Sequence, residues 1–324
     1  MEKKPLVVVA GMIRKDVMAY LSEYVEIKQW TEKETIPKEV FAEWLEDAEG
    51  VWLTKTPLDA EAIAGAKKLK VAAQSAVGYD NVDIEALTAR GIPYGNTPDV
   101  LTETVAEFGF ALTLTAARRI VENVNFVKEG KWMERPSNIK GVDVSRNTIG
   151  IMGMGRIGTS IARRATAFGM EVLYFNRTQR PDDAETGYKF VSLDELYEKS
   201  DVVLCVLPLT EETMYLVDKE AFKKMKNTAL FVNIGRGKEV RVEDLKWALE
   251  HGEIDYAALD VVDPEPYGPG MGLLETGKCL ITPHIASFTD RTRYDMAMLT
   301  ANNLIRGVRG EEILTPVNPE VYKK

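Results

Sequence analysis

Histidine and cysteine are both scarce in this chain, which has 324 residues and only two of each. Two cysteines, Cys205 and Cys279, cannot build a disulfide framework, and their apolar surroundings predict small buried side chains in a reducing cytoplasm. Their number also excludes a cysteine-rich zinc site, and no metal is expected. If the chemistry needs a histidine, His251 and His284 are the only candidates.

An excess of positive charge and long apolar runs are lacking as well. Lys and Arg number 41 against 50 Asp and Glu, a formal net charge of −9, which argues against binding to nucleic acid. The longest apolar runs, such as residues 202–209, are far shorter than the about 20 residues of a membrane-spanning helix. The N-terminus shows no secretory signal, so we expect a cytoplasmic protein without membrane or nucleic-acid partners.

Short apolar runs alternate along the chain with stretches that have helical periodicity. This alternation predicts an α/β fold with parallel sheets and helices on both faces, and the length predicts about two domains. Apolar residues at three- and four-residue spacing predict one long helix over residues 102–128, which bridges domains or subunits. A last helix over residues 291–306 follows all the predicted strands, and periodicity alone does not assign it to either half.

The strongest motif is a glycine-rich run, Gly153-Met154-Gly155-Arg156-Ile157-Gly158. It follows a predicted strand and opens an amphipathic helix, which is the setting of a dinucleotide-binding turn. Gly153 would allow the tight turn, Gly155 the close approach of a pyrophosphate, and Gly158 close packing of helix on strand. Free N–H groups at the helix N-terminus would then bind the phosphates. The alternative is a tight strand–helix turn without a ligand.

The end of the next strand indicates which dinucleotide is bound. In NAD-binding proteins a carboxylate about 20 residues after the glycine motif bonds the adenine-ribose 2′-hydroxyl. This sequence has no acid there and carries Asn176-Arg177-Thr178, followed by Arg180. Because a guanidinium pairs well with a 2′-phosphate, the segment predicts NADP(H) as the preferred cofactor, with NAD(H) possible. The alternative is that Arg177 and Arg180 are solvated turn residues.

Further motifs follow one another in order over nearly the whole chain. They are Ser75-Ala76-Val77-Gly78-Tyr79-Asp80-Asn81-Val82-Asp83, Asn233-Ile234-Gly235-Arg236-Gly237, Asp260-Val261-Val262-Asp263-Pro264-Glu265-Pro266 and Thr282-Pro283-His284-Ile285-Ala286-Ser287. With the glycine motif, they make the chain resemble the D-2-hydroxyacid dehydrogenase family. Residues 94–102, the Asn-Arg-Thr segment and residues 299–304 most resemble its glyoxylate/hydroxypyruvate reductases, including the bacterial 2-ketogluconate reductase type.

The resemblance implies two Rossmann-like domains. A flavodoxin-like substrate domain would be discontinuous, with residues 1–99 and 290–324, and a doubly wound, parallel-sheet NAD(P)-binding domain would span residues 100–289. It also implies a cleft between these domains. A homodimer would form through the coenzyme domains, and the predicted long helix would take part in it.

Reduction of a 2-keto acid needs a proton donor for the developing alkoxide, and His284 suits that role. Imidazole titrates near neutral pH, and His284 follows a strand, where α/β proteins bind their ligands. His251 precedes Gly252 at a predicted helix end, which is a structural setting. In the family pattern Glu265 pairs with the far ring nitrogen of His284, whereas alone it resembles a solvated turn residue.

The resemblance also implies contacts with substrate and cofactor. Arg236, in a glycine-flanked turn, would bind the substrate carboxylate and the adjacent carbonyl oxygen, unless it is a surface turn charge. The N–H groups of Val77 and Gly78 would hold the carboxylate, unless their segment is an ordinary turn. Asp260 would face the nicotinamide carboxamide, unless it is a strand-end or helix-cap carboxylate. The other expected cofactor contacts are Leu207, Pro208, Ile234, Gly235 and Ala286.

These features together predict an NADPH-dependent reductase that converts glyoxylate to glycolate and hydroxypyruvate to D-glycerate. The alternatives are a dehydrogenase acting on 2-ketogluconate or phosphohydroxypyruvate, and a corepressor-like protein that senses dinucleotide without catalysis. Two positions stay open. Arg135 aligns with a tryptophan that mammalian glyoxylate reductases contribute from the partner subunit, and Lys55 either meets the distal end of the substrate or is solvated.

Overall fold

A computed structural model describes residues 3–323 of the chain. Its strands are β1 (Leu6–Val9), β2 (Glu26–Gln29), β3 (Gly50–Leu53), β4 (Val71–Gln74), β5 (Tyr94–Gly95), β6 (Thr148–Met152), β7 (Glu171–Phe175), β8 (Lys189–Phe190), β9 (Val202–Cys205), β10 (Leu230–Asn233), β11 (Tyr256–Leu259) and β12 (Cys279–Ile281). Its helices are α1 (Lys15–Ser22), α2 (Lys38–Leu45), α3 (Ala60–Gly65), α4 (Ile84–Ala89), α5 (Thr102–Ala117), α6 (Ile120–Lys128), α7 (Arg156–Ala167), α8 (Asp183–Thr186), α9 (Leu193–Lys199), α10 (Lys219–Lys224), α11 (Val242–His251) and α12 (Asp290–Val308). Within residues 3–323, no helix has both the length and the apolar character that crossing a membrane requires.

The chain divides into two compact units, and the first contains the residues up to Leu101 together with those from Phe288 onward. Its sheet has the strand order β2-β1-β3-β4-β5, with every pair parallel. The central strands β3 and β4 are buried on both faces, as in a parallel sheet covered by helices. Helix α12 supplies part of that cover, since it packs on β3 and β4 and buries Ala301 and Leu304.

The second unit spans Thr102–Ser287 and holds a seven-stranded sheet in the order β12-β11-β10-β9-β6-β7-β8. All of its strand pairs are parallel. The order reverses between β6 and β9, which is the switch point where doubly wound sheets bind ligands. The prediction of an α/β fold with two Rossmann-like, parallel-sheet domains is confirmed.

The prediction of one long helix over residues 102–128 is wrong. The helix breaks at Arg119, whose φ of +50° lies in the left-handed region, and α5 and α6 lie on either side of it. Tertiary contacts hold this break: the Arg119 guanidinium bonds Asp255 at 2.7 Å and lies 3.7 Å from the ring centre of Tyr256. The N–H of Val142 also donates to the Ala117 carbonyl, 2.7 Å away, at the end of α5.

Candidate active site

The candidate residues of the second unit gather at one edge of its sheet, because the carboxyl ends of parallel strands all lie there. Strand β6 runs into Gly153, β10 into the Arg236 turn, and β12 into the segment that carries His284. Leu207, just after β9, lies beside two of these segments. A Cβ atom at Gly153 would lie 3.3 Å from the Leu207 side chain, and one at Gly235 would lie 3.0 Å from the Leu207 carbonyl oxygen.

The three glycines of the dinucleotide motif occupy three different environments. Gly153 has a φ of +103°, and a Cβ there would lie 2.8 Å from the Val206 carbonyl oxygen. A Cβ at Gly158 would overlap the carbonyl oxygen of Gly153, so this glycine lets α7 pack tightly on the loop. Gly155 has open space around it and begins α7 without a side-chain cap. Open space beside uncapped N–H groups fits a bound pyrophosphate.

The two arginines that follow β7, Arg177 and Arg180, have different surroundings. Arg180 is held by the protein: its guanidinium donates to the Met154 carbonyl at 3.0 Å, to the Thr159 hydroxyl at 2.7 Å, and to Asp182 at 2.6 Å. The alternative that treated Arg180 as a solvated turn residue is therefore wrong. Arg177 is exposed, so its guanidinium is accessible to a ligand.

The side chain of Asn176 is also part of the loop structure. Its Oδ1 accepts the Met154 N–H at 2.7 Å, which ties the end of β7 to the glycine motif. Thr178 lies in the same turn and is exposed. The end of β7 and the glycine loop are therefore held together by this bond.

His284 and Glu265 are neighbours, although 19 residues of sequence separate them. The Nδ1 of His284 lies 3.1 Å from the Oε2 of Glu265, and both side chains are about one-third exposed, at 38% and 31%. The other oxygen of Glu265 accepts the Val262 N–H at 3.4 Å. With Nδ1 occupied, the Nε2 atom of the imidazole is the one left to face a substrate, since the two ring nitrogens point in different directions.

The backbone of His284 has a φ of +55°, a conformation uncommon for residues other than glycine. Two bonds hold it there: the His284 N–H donates to the Asp260 carbonyl at 3.0 Å and to the Thr282 carbonyl at 2.9 Å. Such conformations cost on the order of 1–3 kcal/mol and persist where surrounding contacts enforce them, often at active sites.

Asp260 holds the segment that carries His284 in place through hydrogen bonds. Its carboxylate is buried and accepts the Thr282 hydroxyl at 2.7 Å, the Ile285 N–H at 2.9 Å and the Ala286 N–H at 2.8 Å. The sequence suggested a cofactor contact for this residue. The observed bonds give it a structural function, which is to fix the turn on which the imidazole is mounted.

The turn that carries Arg236 is held by two buried polar side chains. Asn233 donates to the Arg236 carbonyl at 3.0 Å and accepts the Gly235 N–H at 2.9 Å. Glu239 is fully buried and accepts the Arg236 N–H at 3.0 Å. A Cβ at Gly237 would overlap the Val262 backbone, so this turn packs directly against the segment that leads to Glu265.

Glu239 also contacts Cys205, which the sequence predicts to be a small buried side chain. The Cys205 thiol donates to the Glu239 carboxylate at 3.2 Å. Burial, and then the nearby carboxylate, raise the pKa of Cys205 well above its usual range, and burial raises the pKa of Cys279 to about 12. Cys205 is buried as predicted, whereas Cys279 is only partly buried.

In the first unit, the segment of Val77 and Gly78 follows β4. The side-chain amide of Asn96 donates to the Val77 carbonyl at 2.9 Å, and that of Gln74 donates to the Gly78 carbonyl at 3.3 Å. The side chains of Asn96 and Gln74 are both buried. Sequence reasoning missed Asn96, Gln74 and Glu239, because nothing in a sequence distinguishes a buried polar side chain in a turn from a solvated one.

The remaining candidates lie elsewhere. His251 ends α11, stacks on Trp247 and bonds its carbonyl at 2.9 Å, so its predicted structural setting is confirmed. Arg135 is exposed and donates to Asn138 at 3.1 Å, and Lys55 is exposed. Across the described residues 3–323, no group of three or more His, Cys, Asp or Glu side chains is arranged to hold a metal ion.

Comparison with known proteins gives the class to which this fold and site belong. Residues 110–286 match the model of the D-isomer specific 2-hydroxyacid dehydrogenase NAD binding domain. The chain belongs to this family, and it is an oxidoreductase that uses a nicotinamide dinucleotide.

Several relatives within that family are glyoxylate or glyoxylate/hydroxypyruvate reductases. A glyoxylate reductase of Korarchaeum cryptofilum is 44% identical over 99% of this chain and 98% of its own length, and one of Thermococcus kodakarensis is 41% identical with the same coverage. The structure of an NADPH-dependent glyoxylate/hydroxypyruvate reductase of Sinorhizobium meliloti, in complex with NADP and malonate, is 31% identical. It superposes with a TM-score of 0.88 over 97% of both chains.

Proposed function

We propose that the protein reduces glyoxylate to glycolate and hydroxypyruvate to D-glycerate, with NADPH as the preferred cofactor. The observation that carries this proposal is the His284–Glu265 pair, 3.1 Å apart, at the sheet edge that also holds the glycine loop and the Arg236 turn. Relatives over nearly the full length are named glyoxylate reductases, and one similar structure is of an NADPH-dependent enzyme. When bound, the dinucleotide supplies a hydride to the carbonyl carbon.

In this proposal His284 donates the proton, and Glu265 holds His284 in position. Reduction of the keto group consumes one hydride and one proton, and the alkoxide oxygen takes its proton from the Nε2 of His284. Glu265, at Nδ1, fixes the orientation of the ring, so that Nε2 is the nitrogen turned toward the substrate. The imidazole is re-protonated from solvent, to which the side chain is about one-third exposed.

Arg236 and the amides of Val77 and Gly78 bind the substrate in this proposal. The planar guanidinium bonds the carboxylate and the adjacent carbonyl oxygen, on which negative charge develops as the bond order falls. Asn233 and Glu239 hold the Arg236 backbone, and the guanidinium itself donates to the Gly235 carbonyl at 3.0 Å. The N–H groups of Val77 and Gly78 donate to the carboxylate, as a backbone nest does for an anion.

A panel of keto acids tests the proposal against its alternatives. NADPH consumption is followed with glyoxylate, hydroxypyruvate, 2-ketogluconate and phosphohydroxypyruvate, and we expect the highest kcat/KM with one of the first two. Preference for 2-ketogluconate or phosphohydroxypyruvate would assign the protein to another activity of the family. Tight dinucleotide binding without turnover of any keto acid would instead favour the sensing, corepressor-like alternative.

We expect Arg177→Ser to lower kcat/KM for NADPH by about tenfold to a hundredfold, the effect of one charge-assisted hydrogen bond. The value for NADH should stay within about twofold, because NADH has no 2′-phosphate to pair with the guanidinium. Kinetics with both coenzymes at saturating glyoxylate give the ratio. Lys140→Ser, which removes another exposed positive charge, is the control and should change neither value. A wild type that prefers NADH would refute the assignment of NADPH.

We also propose that the protein is a homodimer assembled through α6. This helix exposes apolar side chains, with Ile120, Val124 and Val127 accessible at 47%, 44% and 51%, and Trp132 beyond it at 65%. Apolar surface of this kind marks an interaction site, and a second copy of the chain would cover it with the same apolar face.

The double variant Val124→Asp/Val127→Asp should convert the dimer to a monomer, because it places two carboxylates in the proposed apolar contact. Sedimentation velocity at micromolar concentration measures the change. Leu314→Asp, which alters an exposed apolar residue of the first unit, should leave the dimer intact. A wild type that sediments as a monomer at these concentrations would contradict the proposal.

A further inference from the structure

Three consecutive carbonyl groups after β4 are each held by a buried donor. The Ala76 carbonyl accepts the backbone N–H of Thr97 at 2.9 Å. The next two carbonyls, of Val77 and Gly78, accept the side-chain amides of Asn96 and Gln74 at 2.9 and 3.3 Å. The donors are almost inaccessible to solvent: Thr97 is 0% exposed, Gln74 5% and Asn96 9%. The three peptide planes are therefore fixed from the protein side.

Fixing these planes also fixes the direction of three N–H groups. In a trans peptide the C=O and the N–H of the same plane point in opposite directions. The N–H groups of Val77, Gly78 and Tyr79 consequently point away from the donors. Within residues 3–323 none of the three donates to a protein acceptor, and the segment is partly exposed. Successive backbone N–H groups that lack a protein acceptor are available to bind an anion.

Asn96 is itself fixed by the C-terminal part of the first unit. The hydroxyl of Thr315 donates to the Asn96 carbonyl at 2.7 Å, and the Asn303 amide donates to that hydroxyl at 2.8 Å. A Cβ at Gly95 would lie 2.8 Å from the Asn303 amide nitrogen, so the chain passes close to α12 at this point. The Asn96 amide thus bonds the Val77 carbonyl from a rigid support.

We infer that Asn96 is a positioning residue, which holds the peptide plane between Val77 and Gly78 and so aims the Gly78 N–H at the substrate carboxylate, beside the N–H groups of Val77 and Tyr79. Tyr79 N–H is then a third donor, and Asn96 acts through the peptide plane without touching the substrate. The inference rests on the proposed function, because that function requires a carboxylate to be bound at this segment. It adds one donor, Tyr79 N–H, and the group that aligns the middle donor of the three.

Asn96→Ala tests the inference through the KM of a carboxylate substrate. The variant leaves the Val77 carbonyl without its buried donor, and we expect the KM for glyoxylate to rise about tenfold to a hundredfold. The Kd for NADPH should stay within about twofold. Asn96→Asp keeps the size of the side chain but turns an oxygen toward the Val77 carbonyl, so its KM should rise at least as much.

Asn318→Ala is the matched control. Asn318 is also fully buried in the first unit, and its amide donates to the Thr88 hydroxyl and the Ile92 carbonyl, both at 3.0 Å, but to none of the three carbonyls. If this variant raises the KM for glyoxylate as much as Asn96→Ala does, the effect reflects general loosening of the unit and the inference is overturned.

A substrate without a carboxylate separates positioning from folding. Glycolaldehyde offers a carbonyl but no carboxylate, so Asn96→Ala should leave its kcat/KM within about threefold of wild type, whereas a misfolded site would lose both activities. Equal losses with glyoxylate and glycolaldehyde would overturn the inference.

Calorimetric titration with oxalate, on the protein saturated with NADP⁺, keeps the inference testable if the wild type does not reduce glyoxylate. In that case the proposed function fails, and oxalate still probes the amide groups. Wild type binding oxalate about tenfold to a hundredfold more tightly than Asn96→Ala supports the inference. Equal affinity of the two proteins overturns it.

Discussion

His284→Ala is expected to lower kcat/KM for glyoxylate by about 10²- to 10⁴-fold, the usual contribution of a positioned general acid. The substitution removes the only imidazole at the edge of the second sheet and leaves Glu265 without its partner at 3.1 Å. No other histidine can replace it, because His251 lies at the end of α11 and stacks on Trp247. The loss should fall mainly on kcat, since proton transfer belongs to the chemical step.

Two further measurements make the His284 prediction specific. The Kd for NADPH, obtained from the quenching of protein fluorescence, should change by less than about threefold, because the proposed role is in proton transfer. His251→Ala is the matched control and should retain wild-type kcat/KM. Glu265→Gln should lie between wild type and His284→Ala, since the ring keeps a hydrogen-bond partner at Nδ1 but loses the stronger bond to a carboxylate that orients it. Full turnover by His284→Ala would contradict the mechanism.

Arg236→Ala should lower kcat/KM by about 10²- to 10³-fold, as removal of one oxyanion-stabilising donor does elsewhere. The guanidinium is proposed to hold the carboxylate in the ground state and the carbonyl oxygen in the transition state, so KM should rise and kcat should fall. Arg236→Lys should recover little of the loss, because an ammonium group cannot bond both oxygens with the same planar geometry.

The control for Arg236 lies in the same segment. Arg241 stands just before α11, is exposed, and stacks over Tyr215 at 4.6 Å. Arg241→Ala removes an identical charge and should leave both kinetic constants within about twofold of wild type. Circular dichroism spectra that coincide for the two variants would show that the difference arises at the site. An Arg236→Ala variant with unchanged KM and kcat would remove Arg236 from the proposed mechanism.

Much of the fold could be predicted because a parallel sheet buries both faces of its strands. Strands such as β9 and β11 are continuous apolar runs, which makes them visible in the sequence. Strand β2 is not visible in the same way, because its residues, Glu-Ile-Lys-Gln, lie at the sheet edge and include three polar side chains. The break at Arg119 was missed because the apolar spacing continues across it, and only the contacts with Asp255 and Tyr256 reveal it.

The candidate site was predictable where the backbone requires glycine or where the residue type is rare in the chain. Gly153 and Gly158 are needed for the turn itself, and His284 is one of two histidines in the chain. The supporting bonds were not predictable. Asp260 bonds the turn that carries the imidazole, and Asn96 bonds the Val77 carbonyl, through contacts between segments far apart in sequence. Local sequence contains no sign of such contacts.

Hydride transfer from NADPH to a small 2-keto acid is the reaction that we propose for this protein. The most direct test mixes wild-type protein with NADPH and hydroxypyruvate, follows the loss of NADPH absorbance, and determines the chirality of the glycerate formed. We expect one NADPH to be consumed for each glycerate, with the D enantiomer as the product. NADPH that binds but is not oxidised by hydroxypyruvate or by glyoxylate, or formation of L-glycerate, would contradict the account.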